Sequence, residues 1–391
     1  MIDYLAQFMP VWAAAIVWWV IYAVILLVFA LVNMLFITWL ERKVIGRMQD
    51  RIGANRAGPY GLFQPIADMV KILTKEDITP TAANRVIYNL GPLVVVPPAI
   101  LVFAVLPFSP TISGVDLNIG LLFIFAVAGT STLGILIAGW GSNNKYSLIG
   151  AMRAVAQMVS YEVPQLLSIV GVVMIAGTLS MQAIVAKQAQ LGWFILLQPI
   201  AFVIFLIATT AEVNRTPFDL PEAESEIIAG HHTEYSGLKF GMFYLAEYIS
   251  VLFVSALAAT VFLGGYQIPF VPLDSPITSF LGPFMLIGKT YLFIFLAIWL
   301  RGTLPRVRVD HLMAFAWKGL VPIALLNILL VALVSPVIWT VSATSPGIAA
   351  VVAIVSMLIA NVVMFLIIFL IIQSIVRRDR DRMVEGTVPA R

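Results

Sequence analysis

The sequence predicts an all-α membrane protein, a polytopic helix bundle with about nine transmembrane helices. Three observations lead to this fold class. Hydrophobic residues make up 61% of the 391 residues and charged residues only 11%, and the mean hydropathy is +1.00. Apolar runs of about 20 residues, the length that crosses a bilayer as a helix, recur along most of the chain. The basic residues collect in alternate connections between these runs, as they do in proteins that cross a membrane repeatedly.

The apolar runs are the predicted transmembrane helices, because each is long enough to span the hydrocarbon core. They lie at about residues 11–40, 91–108, 119–140, 154–177, 193–211, 240–264, 282–300, 319–340 and 347–375. Only Lys187 and Lys289 of the 23 basic residues lie outside the odd-numbered connections and the tail. The odd-numbered connections are therefore predicted to be cytoplasmic, with the N-terminus outside and the C-terminus inside. An even number of helices would place the arginine-rich tail outside.

This topology divides the chain into membrane segments and polar connections. The segments are a first helix (1–40), a cytoplasmic loop with an amphipathic helix (41–90), helices two to five (91–211), an acidic cytoplasmic loop (212–239), helices six and seven (240–300), a basic cytoplasmic loop (301–318), helices eight and nine (319–375) and a basic tail (376–391). We expect function to lie in the polar connections and in the few ionisable groups inside the apolar runs.

The composition argues against a redox centre in this chain. Cysteine is absent, and His231, His232 and His311 are the only histidines. Iron–sulfur clusters are held by thiolates in nearly every case and haem usually by well-placed histidines, so we expect no metal site and no cofactor bound by this chain alone. The sequence also shows no dinucleotide or phosphate-loop motif. Electrons must therefore arrive on another molecule.

A short amphipathic helix is predicted in the first loop, after Pro65. Its apolar face carries Ile66, Met69, Val70 and Leu73, and its charged face carries Asp68, Lys71 and Lys75. A helix of this kind suits the membrane interface or the underside of a partner subunit. The glycines and proline that precede it, between residues 53 and 61, are typical of turns.

The acidic loop concentrates charge in a protein that has little of it. Residues 211–240 hold six of the 20 acidic residues. Asp219, with Glu222 three positions later, predicts the start of a helix, and capping could be the whole role of Asp219. Glu222 and Glu226 would then share a helix face, so their carboxylates repel each other unless a cation or a bound proton intervenes. We favour proton handling over a merely solvated face. His231 could titrate near pH 6.5, although a loop histidine satisfied by its neighbours is commoner.

Three ionisable residues fall inside apolar runs, namely Glu162, Glu247 and Lys289. Each costs about 2.5 to 3.5 kcal/mol to insert unless it is paired, hydrated or neutralised. An ion pair between Glu247 and Lys289 is one structural solution, and a hydrated polar passage is the one we favour. Pro164, close to Glu162, should disturb its helix and free a backbone carbonyl.

Three loop sequences resemble one known family. The strings NRTPFDLPEAESE and GHHTEYSG, within residues 214–237, resemble the signature loop of the H subunit of bacterial NADH:quinone oxidoreductase, the counterpart of mitochondrial NADH dehydrogenase subunit 1 in respiratory complex I. The first loop, opening ERKVIGRMQDRIGANRAGPYG, resembles a second signature, and RGTLPRVRVDHLM resembles a third. The chain departs from the family pattern at Ala54 (usually Pro), His231 (usually Phe), Val309 (usually Tyr) and His311 (usually Gln).

The resemblance implies a chamber for a quinone headgroup, walled by the cytoplasmic loops of this chain and roofed by a partner that bears the terminal iron–sulfur cluster. The chamber residues that it implies are Arg42, Arg51, Arg56, Arg215, Asp219, Arg301 and Arg306. We expect carboxylates to relay protonation from the chamber into the membrane, and the candidates are Glu212, Glu222, Glu224, Glu226, Asp68, Glu162 and Glu247. Further implied partners are antiporter-like membrane subunits and subunits with flavin and iron–sulfur clusters, in a cell inner (plasma) membrane.

Two other classes of function stay open. A coupling subunit of a ferredoxin-linked enzyme or a membrane-bound hydrogenase shares the ancestry of this family and need not use quinone. A stand-alone ion transporter also buries carboxylates, but it usually shows inverted repeats with broken helices in matching positions, and the sequence shows no such pair. A purely structural anchor is disfavoured by Glu162 and Glu247, because ionisable groups at membrane depth usually serve a function.

Overall fold

The computed structural model describes residues 10–219, 229–269, 271–273, 275–344 and 346–387. In these ranges the regular structure is helical, and the only strand-like feature is an isolated bridge between Pro107 and Ser113. The prediction of an all-α fold is therefore confirmed.

The α-helices follow one another with short connections. In chain order they are α1 (Val11–Met48), α2 (Gln64–Thr74), α3 (Arg85–Leu101), α4 (Gly120–Ala128), α5 (Thr130–Gly141), α6 (Lys145–Ala176), α7 (Met181–Leu191), α8 (Phe194–Leu197), α9 (Pro199–Glu212), α10 (Gly237–Leu263), α11 (Pro276–Thr303), α12 (Val309–Phe315), α13 (Val321–Thr344) and α14 (Pro346–Thr387). Short 3₁₀ turns occur at Pro59–Gly61, Val102–Val105 and Gly230–His232, and a π-helical turn at Ala316–Leu320 joins α12 to α13.

Eight helical segments in the described part of the chain are long and apolar enough to cross a membrane. They account for every predicted transmembrane run except the fifth, 193–211. That run is not one helix, because it divides into α8 and α9 at Gln198, whose φ of −132° and ψ of 63° are not helical. Pro199 explains the break, since its ring disfavours a helical conformation in the preceding residue and it has no N–H to donate.

Two helices begin or end well beyond the apolar runs that predict them. α1 continues to Met48, although the first loop is predicted to begin at residue 41. α6 begins at Lys145, whereas the fourth apolar run begins at 154. The polar ends of these helices are thereby rigid, and Glu41 and Arg42 stand on the last turns of α1.

α10 lies at the centre of the bundle, where it packs against α1, α2, α3 and α11. Its buried side chains include Ile249, Ala259 and Phe262, none of which is exposed to solvent. α6 packs against α9 and α13, and it also meets the turn Gly230–His232. That last contact needs glycine, because a Cβ on Gly150 would lie 2.5 Å from the Cα of Gly230. The close approach places the two histidines of the turn inside the bundle.

The last helix, α14, packs on α13, α7 and α8. Asn361 of α14 donates a hydrogen bond of 2.7 Å from Nδ2 to the carbonyl of Leu197, next to the break between α8 and α9. A backbone carbonyl at a helix break inside a membrane needs such a donor, because lipid supplies none. The C-terminal helix therefore helps to hold the interrupted segment in the bundle.

Candidate functional site

A network of buried charges is centred on Glu41 of α1, whose side chain is 6% exposed. Its carboxylate accepts a hydrogen bond from Tyr248 of α10 at 2.8 Å and pairs with Arg215 at 3.3 Å. Arg301 of α11 makes a third contact with the same carboxylate. One carboxylate thus connects α1, α10, α11 and the loop that follows α9.

Arg215 is the second centre of the network. Its Nε lies 3.1 Å from Oε1 of Glu247, and its guanidinium lies 4.2 Å from the centre of the Tyr248 ring. Burial lowers the pKa of Arg215, but the charges of Glu247 and Glu41 outweigh it and raise the pKa well above its ordinary value. Arg215 is therefore a permanent positive charge held between two carboxylates.

A second ion pair joins the loop after α9 to the loop after α11. Arg306 Nη2 lies 3.1 Å from Oδ2 of Asp219, and the backbone N–H of Val307 donates to the carbonyl of Pro217 at 3.1 Å. Asp219 is only 8% exposed. Burial raises the pKa of Asp219, and the guanidinium of Arg306 opposes that rise.

A polar cavity of about 70 Å³ lies next to the ion network. Two carboxylates line it, Glu212 at the end of α9 and Glu247 on α10. The other polar residues in its wall are Ser131, Asn214, His231, His232 and Ser250. A cavity of this size with several polar partners can hold ordered water. Because Glu247 also pairs with Arg215, it belongs to both the cavity and the network.

Glu212 stands between this cavity and a smaller one. The second cavity has a volume of about 50 Å³, and Gln165 of α6 lines it together with Glu212. Glu212 makes a side-chain hydrogen bond with Gln165 and is close enough to Glu162 for their charges to repel. Its Oε2 is buried and finds no hydrogen-bond partner among the described residues. Glu212 therefore keeps an acceptor free toward the cavities.

Gln157 of α6 fixes the loop that carries these residues. Its Nε2 donates to the carbonyls of Ala211 and Phe218, at 2.8 and 2.7 Å, and lies 3.1 Å from Oδ1 of Asn214. Gln157 is 2% exposed. A single buried amide thus sets the path of the chain from Glu212 to Asp219, and no sequence pattern indicates this role.

The two histidines of the Gly230–His232 turn pack against each other with their rings tilted by 39°. Their ring centroids are 3.8 Å apart, and Phe243 of α10 packs its edge against both rings at 5.5 and 5.1 Å. His231 is 4% exposed and His232 8%. Burial lowers the pKa of His231 to about 4, and burial together with His231 lowers that of His232 as well. Of the two possibilities that the sequence leaves open for His231, burial argues against titration near pH 6.5, because it penalises the charged ring.

An apolar crevice of about 150 Å³ opens on the other side of the network, between α1, α2 and α10. Its walls are formed mainly by Leu31, Met34, Leu35, Met69, Ile72, Leu73, Met242 and Leu245. Arg42 and Asp68, which pair at 2.5 Å, line it together with Tyr244. The hydroxyl of Tyr244 lies 2.9 Å from that of Tyr248. Since Tyr248 donates to Glu41, hydrogen bonds connect the crevice to the buried ion network.

Comparison with known proteins identifies the family. The sequence model of the family described as NADH dehydrogenase matches residues 21–332, which is more than half of the chain. The chain belongs to this family. It is 56% identical over 312 residues to the H subunit of the NADH-quinone oxidoreductase of Dehalococcoides mccartyi strain CBDB1, covering 80% of this chain and 85% of that protein. It is 48% identical over 334 residues to the H subunit of Brevibacillus brevis, covering 85% of this chain and 98% of that protein. With the H subunit of Anoxybacillus flavithermus it shares 47% identity over 339 residues, 85% of this chain and 98% of the relative.

The structure brings some of the predicted site residues together and leaves others apart. The ion network and its cavity bring together the predicted residues Glu212, Glu247, Arg215, Asp219, Arg301 and Arg306. Asp68 and Arg42 lie apart from them in the apolar crevice, and Glu162 lies beside Gly129, where a Cβ would be 3.2 Å from its Oε1. Arg51 and Arg56 are exposed on the loop after α1, and Arg51 bonds Gln49 at 2.7 Å. Glu222, Glu224 and Glu226 lie outside the described residues.

Lys289 does not pair with Glu247, so that structural alternative is wrong. Its Nζ donates to the carbonyls of Leu263, Gly265 and Gln267, each at 2.8 Å, and lies 5.5 Å from the centre of the Trp193 ring. Among the described residues, no group of three His, Cys, Asp or Glu side chains could hold a metal ion.

The site also contains residues that sequence reasoning missed. They are Glu41 as the network centre, Tyr244, Tyr248, Gln157 and Gln165. In the sequence Glu41 lies beside Arg42 and Lys43, where a salt-bridged anchor is as good an interpretation as a functional role.

Proposed function

We propose that this chain is the membrane subunit of a proton-pumping NADH:quinone oxidoreductase, respiratory complex I. In this role it forms part of the quinone chamber and couples quinone reduction to proton translocation through a relay of carboxylates. The extent of its similarity to the H subunits of NADH-quinone oxidoreductases supports the assignment to this enzyme. The coupling role rests on one observation, the continuous series of polar contacts between the apolar crevice and the cavity of Glu212.

The series begins at Tyr244 in the crevice wall and continues through Tyr248 to Glu41, with contacts of 2.9 and 2.8 Å. From Glu41 it passes through Arg215 to Glu247, at 3.3 and 3.1 Å. Glu247 then faces Glu212 across the polar cavity. A change of charge in the crevice can therefore alter the protonation of acids deep in the bundle, because buried charges are weakly screened.

The crevice has the properties expected of a quinone passage. Its wall is apolar, as the isoprenoid tail requires, and its polar contacts come from Arg42, Asp68 and Tyr244. A quinone that takes up two electrons must also take up two protons, or it leaves charge in a low-dielectric site. In the proposal, the residues that shape the chamber around the headgroup and bias the acids near it are Arg42, Arg51, Arg56, Arg215, Asp219, Arg301 and Arg306.

The relay in this proposal continues from the chamber into the membrane. The acids assigned to it are Glu212, Glu222, Glu224, Glu226, Asp68, Glu162 and Glu247. The placement of Glu212 between two cavities supports its assignment, since a carboxylate with a free oxygen beside a hydrated space can exchange protons. Electrons would be delivered by partner subunits that carry flavin and iron–sulfur clusters, and the assembly would lie in the plasma membrane beside antiporter-like subunits.

The test is to purify the chain with its partners in mild detergent and to assay quinone reduction with NADH and with reduced ferredoxin in separate reactions. Rapid NADH oxidation, together with flavin and iron–sulfur partners, is expected. Proton uptake by the same complex in vesicles should accompany quinone reduction. Activity with ferredoxin alone, or hydrogenase-like partners, would instead assign the chain to the related class of coupling subunits and would remove NADH from the function.

A further inference from the structure

We propose that His232, with His231 packed against it, carries a proton between Glu247 and Glu212 across the polar cavity. This inference rests on the proposed function, since it names an additional proton-carrying residue for that reaction. It extends the relay from carboxylates alone to one imidazole, that of His232, which lies on a separate turn of the chain.

The first observation is that the histidines and the two carboxylates line one cavity. Glu212 approaches it from α9, Glu247 from α10, and both histidines from the Gly230–His232 turn. The remaining wall residues from α3, α5 and α6 are Val95, Ser131, Ile135 and Met158, none of which titrates. The imidazoles are therefore the titratable groups that line this cavity between the two glutamates, beside water and the hydroxyls of Ser131 and Ser250.

The second observation is that the two rings are held in place and that His231 keeps hydrogen-bonding capacity. The edges of Phe243 and Phe240 pack against the His232 ring at 5.1 and 5.4 Å. Nδ1 of His231 is buried and finds no hydrogen-bond partner among the described residues. The carbonyl of His231 accepts a bond from Ser147 of α6 at 3.3 Å, which fixes the turn. A neutral imidazole has one donor and one acceptor nitrogen, so it can take a proton on one side and release another on the opposite side.

The proton balance of the step is simple. Protonated Glu247 gives its proton to the acceptor nitrogen of neutral His232, and the imidazolium releases the proton of its other nitrogen toward the carboxylate of Glu212. Glu247 ends as a carboxylate, Glu212 ends protonated, and His232 is neutral again in its other tautomer. With ring centroids 3.8 Å apart, the two histidines cannot both be charged, because like charges at that distance repel strongly. His231 therefore stays neutral while His232 carries the proton.

His231 has a distinct part in this arrangement, because it opposes protonation of His232. Burial is the larger cause of the lowered pKa of His232, and the neighbouring His231 adds to it. A relay residue must release its proton quickly, and a depressed pKa prevents the imidazolium from persisting. His231 is therefore a positioning and tuning residue, and a non-titrating ring at its position should still permit coupled turnover.

The test uses the assembled complex in vesicles, with NADH-driven quinone reduction and proton translocation measured together across a range of pH. His232→Phe and His232→Gln are expected to lower coupled turnover by about a hundredfold to ten-thousandfold, the range in which a positioned proton-transfer group contributes. The glutamine variant keeps a hydrogen-bonding side chain of similar length but cannot relay a proton through tautomers. If His232→Gln retains full turnover and translocation, the role of the ring is structural and the proposal is overturned.

His231→Phe tests the tuning role. We expect it to keep turnover near neutral pH and to shift the acid limb of the pH profile upward, because His232 then holds its proton more strongly. An unshifted acid limb would contradict this part of the proposal. The control is His311→Gln, an exposed histidine on α12, which should leave both the rate and the profile unchanged.

The outcome is separable from that of the proposed function. If the unmodified complex does not couple NADH-driven quinone reduction to proton uptake, the proposed function fails before any variant is compared. If it does and the His232 variants assemble with normal flavin and iron–sulfur content yet match the unmodified complex, the proposed function stands and the histidine relay fails.

Discussion

Two regions of the bundle hold buried charge in opposite ways. Around Lys289 each of the three donors of the ammonium has a carbonyl partner at 2.8 Å, and a Trp193 ring lies nearby. In the network around Glu41 and in its cavity, polar atoms remain without partners among the described residues, including Glu212 Oε2, Arg215 Nη2 and Asp219 Oδ1. Under the proposed function, this contrast distinguishes a structural charge from charges that exchange protons, because unused hydrogen-bonding capacity beside a cavity lets a group bond to water.

The Lys289 site is a cap for the end of α10. Leu263 is the last residue of that helix, and the glycines that follow it have left-handed φ angles of 73° and 51°. The chain thereby turns its carbonyls inward, and a cation at a helix C-terminus is stabilised by the helix dipole. A charge that would cost about 2.5 to 3.5 kcal/mol to insert alone is thus accommodated without an anion.

The largest expected effect on stability comes from removing the centre of the network. Glu41→Ala leaves Arg215 and Arg301 with one fewer carboxylate, and breaking a buried ion pair costs about 3 to 5 kcal/mol. We expect a large fall in the melting temperature of the complex in detergent. The matched control is Asp77→Ala, which breaks an ion pair of 3.0 Å between Lys239 and a half-exposed Asp77. An exposed pair contributes at most about 1 kcal/mol, so an equal loss in the two variants would contradict the account of Glu41.

Glu212→Gln should separate activity from stability. The amide is nearly isosteric and can keep a hydrogen bond with Gln165, so we expect little change in the melting temperature. It cannot carry a proton, so coupled quinone reduction and proton translocation should fall by about a hundredfold, as expected when an acid–base group is lost. Glu76→Gln, at an exposed position, is the control. Intact translocation in the Glu212 variant would remove that residue from the relay.

Lys289→Met should show the reverse pattern. Without the ammonium, three inward-facing carbonyls lose their donor, and we expect a loss of about 2 to 3 kcal/mol in the free energy of unfolding. The specific activity of the complex that does assemble should stay unchanged, because Lys289 lies outside the network and the cavity. Lys145→Met, at an exposed lysine, controls for the lost charge. A Lys289 variant that is stable but fails to translocate protons would break the comparison between the two regions.

The histidine pair predicts a pH dependence of stability. The pKa of His231 is about 4 in the folded protein, below its ordinary value of 6.5, so the unfolded chain binds more protons between these two values. Stability is therefore present in full above the ordinary pKa and is lost as pH falls toward 4. Between pH 7 and pH 5 we expect a loss of about 2 kcal/mol in the free energy of unfolding. Melting curves of His231→Phe should show a smaller acid sensitivity, and an unchanged one would mean that other groups cause it.

The smallest expected effect concerns the broken helix. Asn361→Leu removes the donor to the carbonyl of Leu197, and the loss of one buried hydrogen bond should lower stability by about 1 kcal/mol. Hydrogen exchange at the start of α9 should rise at the same time. Asn361 also bonds its own helix at Met357, so a change confined to α14 would show that it does not support the break.

The fold class follows from the sequence alone, because a bilayer demands long apolar runs and those runs are visible one residue at a time. The sequence also predicts the amphipathic helix after Pro65, which the structure shows as α2, and it singles out most of the acids and arginines of the site. Pro199 indicates the helix break at Gln198. The predicted fifth helix nevertheless includes this position, because the apolar run continues on both sides of it.

The pairing of charged side chains is decided by the packing of the helices. Glu41 contacts residues that lie 174, 207 and 260 positions further along the chain, and no local pattern connects them. The partners of Lys289 are backbone carbonyls, which every residue possesses and no sequence can distinguish. The protonation of His231 depends on burial that Gly150 permits by its close contact with Gly230. Composition and periodicity report the solvent that each segment prefers, whereas the pairing and pKa of buried groups depend on how distant segments pack.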